Sequence, residues 1–177
     1  MNIRIKVLGK DHAHTLSGMS NLGVSYHNQG RWDEAEAMQS QVVAARKVLL
    51  GPEHFSTLTS MARLSLTYHG QGRQPEAETL GLQVMELRKK VLGPEHHHTL
   101  TSTSNLASIY YDGGQFAKAE ELLLQVLAMR IKVLGMEHHH TPTCMEQLAA
   151  MYRKQGRLME SEDLESQVSE ARDKAVQ

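Results

Sequence analysis

The stretch RKKVLGPEHHHTL at 88–100 returns along the chain as RIKVLGKDHAHTL at 4–16, RKVLLGPEHFSTL at 46–58 and RIKVLGMEHHHTP at 130–142. The arginine that opens it recurs every 42 residues, at Arg4, Arg46, Arg88, Arg130 and Arg172. Four units without an insertion result: 4–45, 46–87, 88–129 and 130–171, with partial repeat ends at 1–3 and 172–177. A fixed period of about 20–50 residues indicates a solenoid, so we predict a single array over residues 1–177.

The first helix of each unit is predicted from a start signal and a stop signal. Threonine can accept a backbone N–H as a helix N-cap, so we expect this helix to begin at Thr15, Thr57, Thr99 and Thr141. Pro142 then takes the first helical position of the last unit, where its missing N–H needs no partner. Glycine favours the left-handed turn after a helix, so this helix should stop at Gly30, Gly72, Gly114 and Gly156.

The second helix is predicted to start two or three residues after that glycine and to end near Gly51, Gly93 and Gly135. In the third unit its apolar residues follow the spacing of one helical stripe: Ala119, Leu122, Val126, Met129 and Val133. Small residues recur at one position on each helix, where they allow close packing: Gly23, Ser65, Ala107 and Ala149, then Ala35, Ala77, Ala119 and Ser161. Nothing alternates with a period of two, so the fold class is all-α.

The composition excludes several classes of protein. No run in the 177 residues approaches the roughly 18 apolar residues that a membrane span needs. Lysine and arginine number 19 against 20 acidic residues, so the net charge of −1 gives no basic field for nucleic acid. The single cysteine excludes a disulfide framework and a multi-cysteine zinc site. We therefore expect a cytoplasmic protein without nucleic-acid or membrane partners.

Histidine is unusually frequent, with eleven occurrences. One histidine recurs in every unit and is predicted to serve the loop fold by capping a helix end: His12, His54, His96 and His138. The others in these loops could bind Ni²⁺ or Zn²⁺ adventitiously, as with His97, His98, His139 and His140. No acidic or cysteine ligand has zinc spacing beside them, so we predict no metal site.

Catalytic chemistry is not indicated. Cys144 stands where the other units have Gly18, Ser60 and Ser102, so we expect a buried packing residue rather than a nucleophile. The arginine column is likewise predicted to be structural, because it repeats in every unit. No glycine-rich phosphate loop occurs in the sequence. We predict no catalytic residue, no cofactor and no enzyme activity.

These units resemble the tetratricopeptide repeat. In the first unit, NLGVSYHNQGRWDEAEA matches its pattern through Leu22, Gly23, Tyr26, Gly30 and Trp32, and the third unit gives NLASIYYDGGQFAKAEE. The 42-residue length is similar to the repeats of kinesin light chains and of the C-terminal arrays of NOD-like or STAND receptors. Their usual loop proline is replaced here by Ala13, Phe55, His97 and His139. The resemblance implies a right-handed α-α superhelix of four helix-turn-helix repeats that binds proteins or peptides.

In that family the first helices line a concave groove, and the matching positions here vary in chemistry. The candidate peptide-binding residues are Asn21, Arg63, Asn105 and Gln147, with His27, His69, Tyr111 and Arg153 one turn further on. Amide side chains can pair with a peptide backbone, and arginine can bind carboxylates. Two neighbouring columns share this face: Ser17, Thr59, Thr101, Thr143 and Ser20, Ala62, Ser104, Glu146. The alternative left open is a merely solvated face.

The leading hypothesis is therefore a protein-interaction module, forming a scaffold or ligand-sensing segment of a larger protein. The alternative is a structural self-assembly segment that stacks through uncapped repeat ends. Val7 and Leu8 match the tail of a second helix whose partner unit is missing, so we expect exposed apolar area and weak end-to-end association.

Overall fold

A computed structural model describes residues 9–175 of the chain, and within them it contains eight α-helices and no strand. Val7 and Leu8, with the predicted sticky end that they carry, lie outside the described residues. The helices are α1 (Ala13–Asn28), α2 (Trp32–Leu50), α3 (Phe55–Gly70), α4 (Gln74–Leu92), α5 (His97–Asp112), α6 (Phe116–Leu134), α7 (His140–Lys154) and α8 (Leu158–Ala175). The all-α prediction is confirmed.

The chain packs as two compact units that divide after Val91. In the first unit α1 packs on α2, α2 on α3, and α1 lies beside α3. In the second unit α5 packs on α6, α6 on α7, and α7 on α8. Each unit therefore holds two helical hairpins. The prediction of one array over residues 1–177 stays a prediction.

The turns inside the hairpins follow the sequence. Gly30 has a φ of 71°, and the equivalent glycines of the other three hairpins have φ between 74° and 76°. Such a φ suits glycine because a Cβ would clash there. The Gly30 N–H donates to the carbonyl of His27, and the Arg31 N–H donates to that of Tyr26. The predicted stop is confirmed, with the last helical residue two positions earlier.

The predicted N-caps are wrong. The helices begin two residues before Thr15, Thr57 and Thr99 and one before Thr141, so these threonines lie buried within the first turn. The hydroxyls of three of them instead donate to backbone carbonyls near the end of the preceding helix: Thr57 Oγ1 to Arg46 O at 3.3 Å, Thr99 Oγ1 to Gly93 O at 2.8 Å and Thr141 Oγ1 to Gly135 O at 2.7 Å. Pro142 is accordingly the third helical residue of α7, not the first.

The recurrent histidine supplies the cap instead, as the histidine column predicted. The Nδ1 atoms of His12, His54 and His96 accept the N–H two residues on, at 3.2, 3.1 and 3.2 Å. His138 Nδ1 also accepts the N–H two residues on, at 3.4 Å, but the N-cap residue of α7 is His139, so here the column histidine lies one position before the cap. An Nδ1 acceptor serves as the oxygen of an N-cap residue does, because it satisfies an orphan donor of the first turn.

The small-residue columns lie buried between the paired helices, as predicted. A Cβ built on Gly23 would lie 2.9 Å from Cγ of Gln39, so a larger residue there would force the buried Gln39 side chain to shift. Ser65 Oγ donates to Ala77 O at 2.8 Å, and Ser161 Oγ to Ala149 O at 2.9 Å, tying helix to helix.

The apolar stripe predicted for the second helix of the third 42-residue repeat (88–129) is only partly right. Ala119 and Val126 are buried, but Leu122 and Met129 are half-buried and Val133 is exposed. Leu123 and Arg130 are buried in their place. The stripe shifted because α6 packs against two neighbours, α5 and α7, so its buried face is broader than one apolar row.

Candidate functional site

The arginine column holds successive helices together through neutral oxygens. Arg46 donates from Nη1 to Ser56 O at 3.0 Å and to Ser60 Oγ at 2.7 Å. Arg130 does the same in the second unit, with His140 O at 2.7 Å. Arg88 and Arg130 are buried, and burial lowers their pKa values. The predicted structural role is confirmed for Arg46, Arg88 and Arg130, whereas Arg172 is exposed and pairs with Glu146, and Arg4 lies outside the described residues.

In the first unit, the candidate face is formed by α1 and α3. Arg63 is half-buried on α3, and its Nη1 donates to Ser20 Oγ on α1 at 2.7 Å. Asn21 is the next residue of α1 and is exposed. The two helices thus bring an amide and a guanidinium to adjacent positions. Asparagine can pair with backbone N–H and C=O groups, and arginine with carboxylates.

His27 and His69 lie one turn further along the same two helices. Both are half-buried, and burial followed by the charge of His69 lowers the pKa of His27. The His27 ring packs edge-on against Trp32 with centroids 4.8 Å apart, and its Nδ1 lies 3.3 Å from Thr67 Oγ1. Thr67 Oγ1 also donates to Gln39 Oε1 at 2.7 Å in the buried core. The neutral His27 ring is therefore linked to the core by hydrogen bonds.

In the second unit, the candidate residues have differing surroundings. Asn105, Gln147 and Tyr111 are half-buried. The Tyr111 ring packs edge-on against Phe116 at 5.5 Å, and Lys154 Nζ lies 4.7 Å above it. An amide pair and an aromatic ring with a lysine are thus available on this unit.

Arg153 differs from the other candidates, because its guanidinium is paired with the carboxylate of Glu165 on α8. An incoming acidic group would have to compete with Glu165 for it. Arg63 has no such competitor among the described residues, because its guanidinium bonds instead to the neutral hydroxyl of Ser20. Arg63 is accordingly the stronger anion-binding candidate of the two.

Sequence reasoning missed a second set of arginines, which stack on the tyrosine column. Arg73 lies 4.3 Å above the Tyr68 ring and donates from Nη1 to Glu36 at 2.8 Å. Arg157 repeats the arrangement in the second unit, 3.8 Å above the ring of Tyr152. Each of these arginines directly follows the turn glycine and lies five positions after the tyrosine. That constant spacing was the signal available in the sequence.

The remaining candidates do not form a chemical site. Cys144 is buried and its Sγ lies 3.6 Å from Leu123 O, so the predicted packing role is confirmed. Burial raises the pKa of its thiol to about 11, which keeps it protonated and unreactive. Between residues 9 and 175, no three His, Cys, Asp or Glu side chains are placed to hold a metal ion. None of the eight described helices combines the length and apolar composition of a membrane span.

Paired helices with a constant small-residue interface and a variable polar face define an α-helical repeat protein of the interaction-module class. The family comparison agrees: a tetratricopeptide-repeat model matches residues 13–90, 75–132 and 99–174. This chain belongs to the tetratricopeptide-repeat family. Proteins of this fold act as scaffolds that bind other proteins, and the fold is not an enzyme type.

Among solved structures, proteins with kinesin light chain repeats are similar to this chain. Two crystal structures of a putative kinesin light chain from Podosopora anserina, described as having nearly identical TPR-like repeats, are similar to this chain at 34% identity. Each alignment covers 98% of this chain and 82% of the Podosopora anserina chain, with TM-scores of 0.82 and 0.79. BtubC (BKLC) from P. vanneervenii shares the fold at 17% identity and a TM-score of 0.79, over 90% of this chain and 63% of that one. No curated protein matched.

Proposed function

We propose that this protein binds an extended, partly acidic peptide segment of another protein along the face formed by its first helices. The observation that carries the proposal is the state of Arg63. Its guanidinium is half-buried and, within the described chain, ends on a serine hydroxyl instead of a carboxylate. A cation held in this way gains more from a carboxylate than a fully solvated one does, because partial burial strengthens charge-assisted hydrogen bonds.

The candidate residues of each unit differ in the groups that they offer. On the first unit, Asn21 and Arg63 offer an amide for the peptide backbone and a guanidinium for an acidic side chain, with His27 and His69 beside them. On the second, Asn105 and Gln147 offer two amides, and Tyr111 offers an aromatic surface. Arg153 contributes only when the ligand displaces Glu165. From one 42-residue repeat to the next, the packing positions keep their type of residue, whereas these candidate positions change. This pattern fits a face selected for binding.

The setting that we propose is a scaffold or ligand-sensing protein of the cytoplasm. A buried, free thiol at Cys144 is compatible with a reducing compartment. The NOD-like receptor arrays mentioned above are one such setting, and kinesin light chains are another. Binding is expected to be weak, because an extended segment loses conformational entropy when it becomes ordered.

Selected peptides can test the binding face. Peptides are selected against the wild-type chain from a random display library, and their affinities are measured by fluorescence anisotropy. They should be rich in Asp and Glu. The double variant Arg63→Ala/Asn105→Ala should weaken their binding by roughly 1–3 kcal/mol through lost charge-assisted bonds. The matched control Lys132→Ala/Gln125→Ala changes exposed side chains of α6 and should bind as wild type does. Equal affinities for both double variants would rule out the proposed face.

A second candidate function, self-association, is favoured by one apolar groove of the first unit. The groove has a volume of about 420 Å³ and is lined by Leu16, Met19, Ala45, Val48 and Leu49. Val48 is 86% and its neighbour Leu49 54% exposed, so two adjacent apolar side chains of the groove face solvent. Sedimentation velocity would detect it as a mass that rises with concentration, and Val48→Lys should abolish the rise.

A further inference from the structure

Two arginines of the first unit converge on one pair of serines. Arg46 Nη2 lies 3.5 Å from Ser17 Oγ, and Arg63 Nη1 lies 2.7 Å from Ser20 Oγ. Ser17 and Ser20 are three residues apart on α1, so their side chains are neighbours on one helix face. The two guanidiniums repel each other: after burial, the charge of Arg63 is the next cause of the lowered pKa of Arg46.

This like-charge pair is not required by the repeat. Arg46 belongs to the structural column. The column of Arg63, by contrast, contains amides in the other three 42-residue repeats, at Asn21, Asn105 and Gln147. The second unit offers a comparison: Arg130, the equivalent of Arg46, lies 3.4 Å from Oγ of Ser104, the equivalent of Ser20, and the residue equivalent to Arg63 there is the neutral Gln147. A second positive charge beside a half-buried arginine costs stability unless an anion joins them.

The groups around the pair suit an anion. In the described chain, neither Arg46 nor Arg63 has a carboxylate partner, whereas Arg31 has one and Arg73 and Arg157 have two each. The hydrogen bond from Arg63 to Ser20 uses Nη1, which leaves the other edge of the guanidinium, Nε and Nη2, to donate to an anion. The hydroxyls of Ser17 and Ser20 accept from the arginines, so each O–H is still able to donate.

We propose that Arg46, Arg63, Ser17 and Ser20 form a binding site for a phosphate monoester dianion, carried by a phosphorylated serine or threonine of the bound segment. This proposal rests on the proposed function, since it names one side chain of the peptide that binds to the face formed by the first helices. A phosphoryl group carries a charge of about −1.5 to −2 at neutral pH and three acceptor oxygens, which matches two guanidiniums and two hydroxyls. A carboxylate neutralises only one of the two arginines. A phosphoinositide surface is the less favoured source, because the net charge of −1 gives no attraction to an anionic membrane.

The test uses the full 177-residue chain and blocked pentapeptides Ala-Ala-X-Ala-Ala with X as phosphoserine, serine or glutamate. Binding is followed through the arginine Nε–Hε NMR resonances at matched ionic strength, with inorganic phosphate as a further probe. The phosphoserine peptide and inorganic phosphate should both shift the Arg63 resonance. The phosphoserine peptide should bind about tenfold more tightly than the glutamate peptide, and the serine peptide should not bind.

Variants locate the site and guard against misfolding. Arg63→Asn installs the amide of the same column, so it should fold normally, yet it should weaken phosphoserine binding about tenfold or more. Adding Gln147→Arg to Arg63→Asn recreates the arginine pair beside Arg130 and Ser104 in the second unit and should restore part of the binding there, since Thr101 replaces Ser17 and its hydroxyl donates to His97 O. Arg31→Asn, which removes an arginine already paired with Glu34, should leave binding unchanged.

Three results would overturn the proposal. Equal affinity for the glutamate and phosphoserine peptides would make the site a carboxylate subsite, and the proposed peptide-binding function would survive. Phosphoserine binding that ignores Arg63→Asn would place the anion elsewhere. Arg63-dependent binding to phosphoinositide vesicles, without binding of the phosphoserine peptide, would assign the site to a membrane. Failure of the library-selected peptides to depend on Arg63 and Asn105 would, by contrast, remove the proposed function itself.

Discussion

Removal of the Thr67 hydroxyl should destabilise the first unit, because it leaves a buried amide oxygen without its donor. Thr67 is fully buried, Gln39 is 2% exposed, and the hydroxyl lies 2.7 Å from Gln39 Oε1. Thr67→Val keeps the side-chain shape and removes the donor. A buried acceptor left unsatisfied costs about 1–3 kcal/mol, so the free energy of unfolding should fall by that amount. Thr67→Ser keeps the hydroxyl and should recover much of the loss.

The second unit suggests the compensating change. The positions equivalent to Gln39 and Thr67 are there occupied by Leu123 and Met151, which are both buried. Adding Gln39→Leu to Thr67→Val removes both members of the buried Thr67–Gln39 hydrogen bond. His27 Nδ1, which also contacts Thr67 Oγ1, belongs to a half-buried ring that water can reach, so the double variant should lie within about 1 kcal/mol of wild type. Urea unfolding followed by far-UV circular dichroism gives the four free energies of the cycle. Additive losses, with no coupling between the two positions, would refute the hydrogen-bond account of this contact.

Three further outcomes are expected. The folded-state pKa values of His27 and His140 are lowered, chiefly by burial, so their neutral forms stabilise the fold above about pH 6.5 and this stability is lost as the pH falls; a melting temperature that rises on acidification would contradict this. Burial raises the pKa of Cys144 to about 11, so iodoacetamide should modify it far more slowly in the native state than in urea, and equal rates would disprove its burial. His54→Ala should lose about 0.5–2 kcal/mol of stability and His54→Asn much less, as urea titration would measure, because His54 Nδ1 caps α3; an unchanged stability of His54→Ala would refute the cap.

The repeat period made the fold predictable from the sequence, and local chemistry set the limits. Gly30 and its equivalents marked the hairpin turns correctly, because a φ near 71° is a property that one residue type carries. The helix starts were placed too late, because threonine is the more familiar cap. At α3 the cap is His54, whose Nδ1 accepts the backbone N–H of Ser56. The Thr57 hydroxyl donates instead to the Arg46 carbonyl of the preceding helix. Tertiary contacts of that kind have no sequence signal.

The candidate face was predictable as a set of columns, but not in its pairing. The sequence distinguished variable from constant positions, which located Asn21 and Arg63. It gave no sign that Arg153 is paired with Glu165, because that contact depends on how α7 and α8 pack. Nor did it reveal the approach of Arg63 to Arg46, which are 17 residues apart on different helices. Charge pairing of this type follows from side-chain reach and needs coordinates.

The central claim is that the face formed by the first helices binds a peptide. The most direct measurement is side-chain NMR of the isotope-labelled chain, titrated with a library-selected acidic peptide and observed at arginine Nε–Hε and at asparagine and glutamine amides. We predict saturable shifts at Arg63, Asn21, Asn105 and Gln147, with Gln125 on α6 unchanged. Saturable shifts at Gln125 with no change at Arg63 and the three amides would contradict the account.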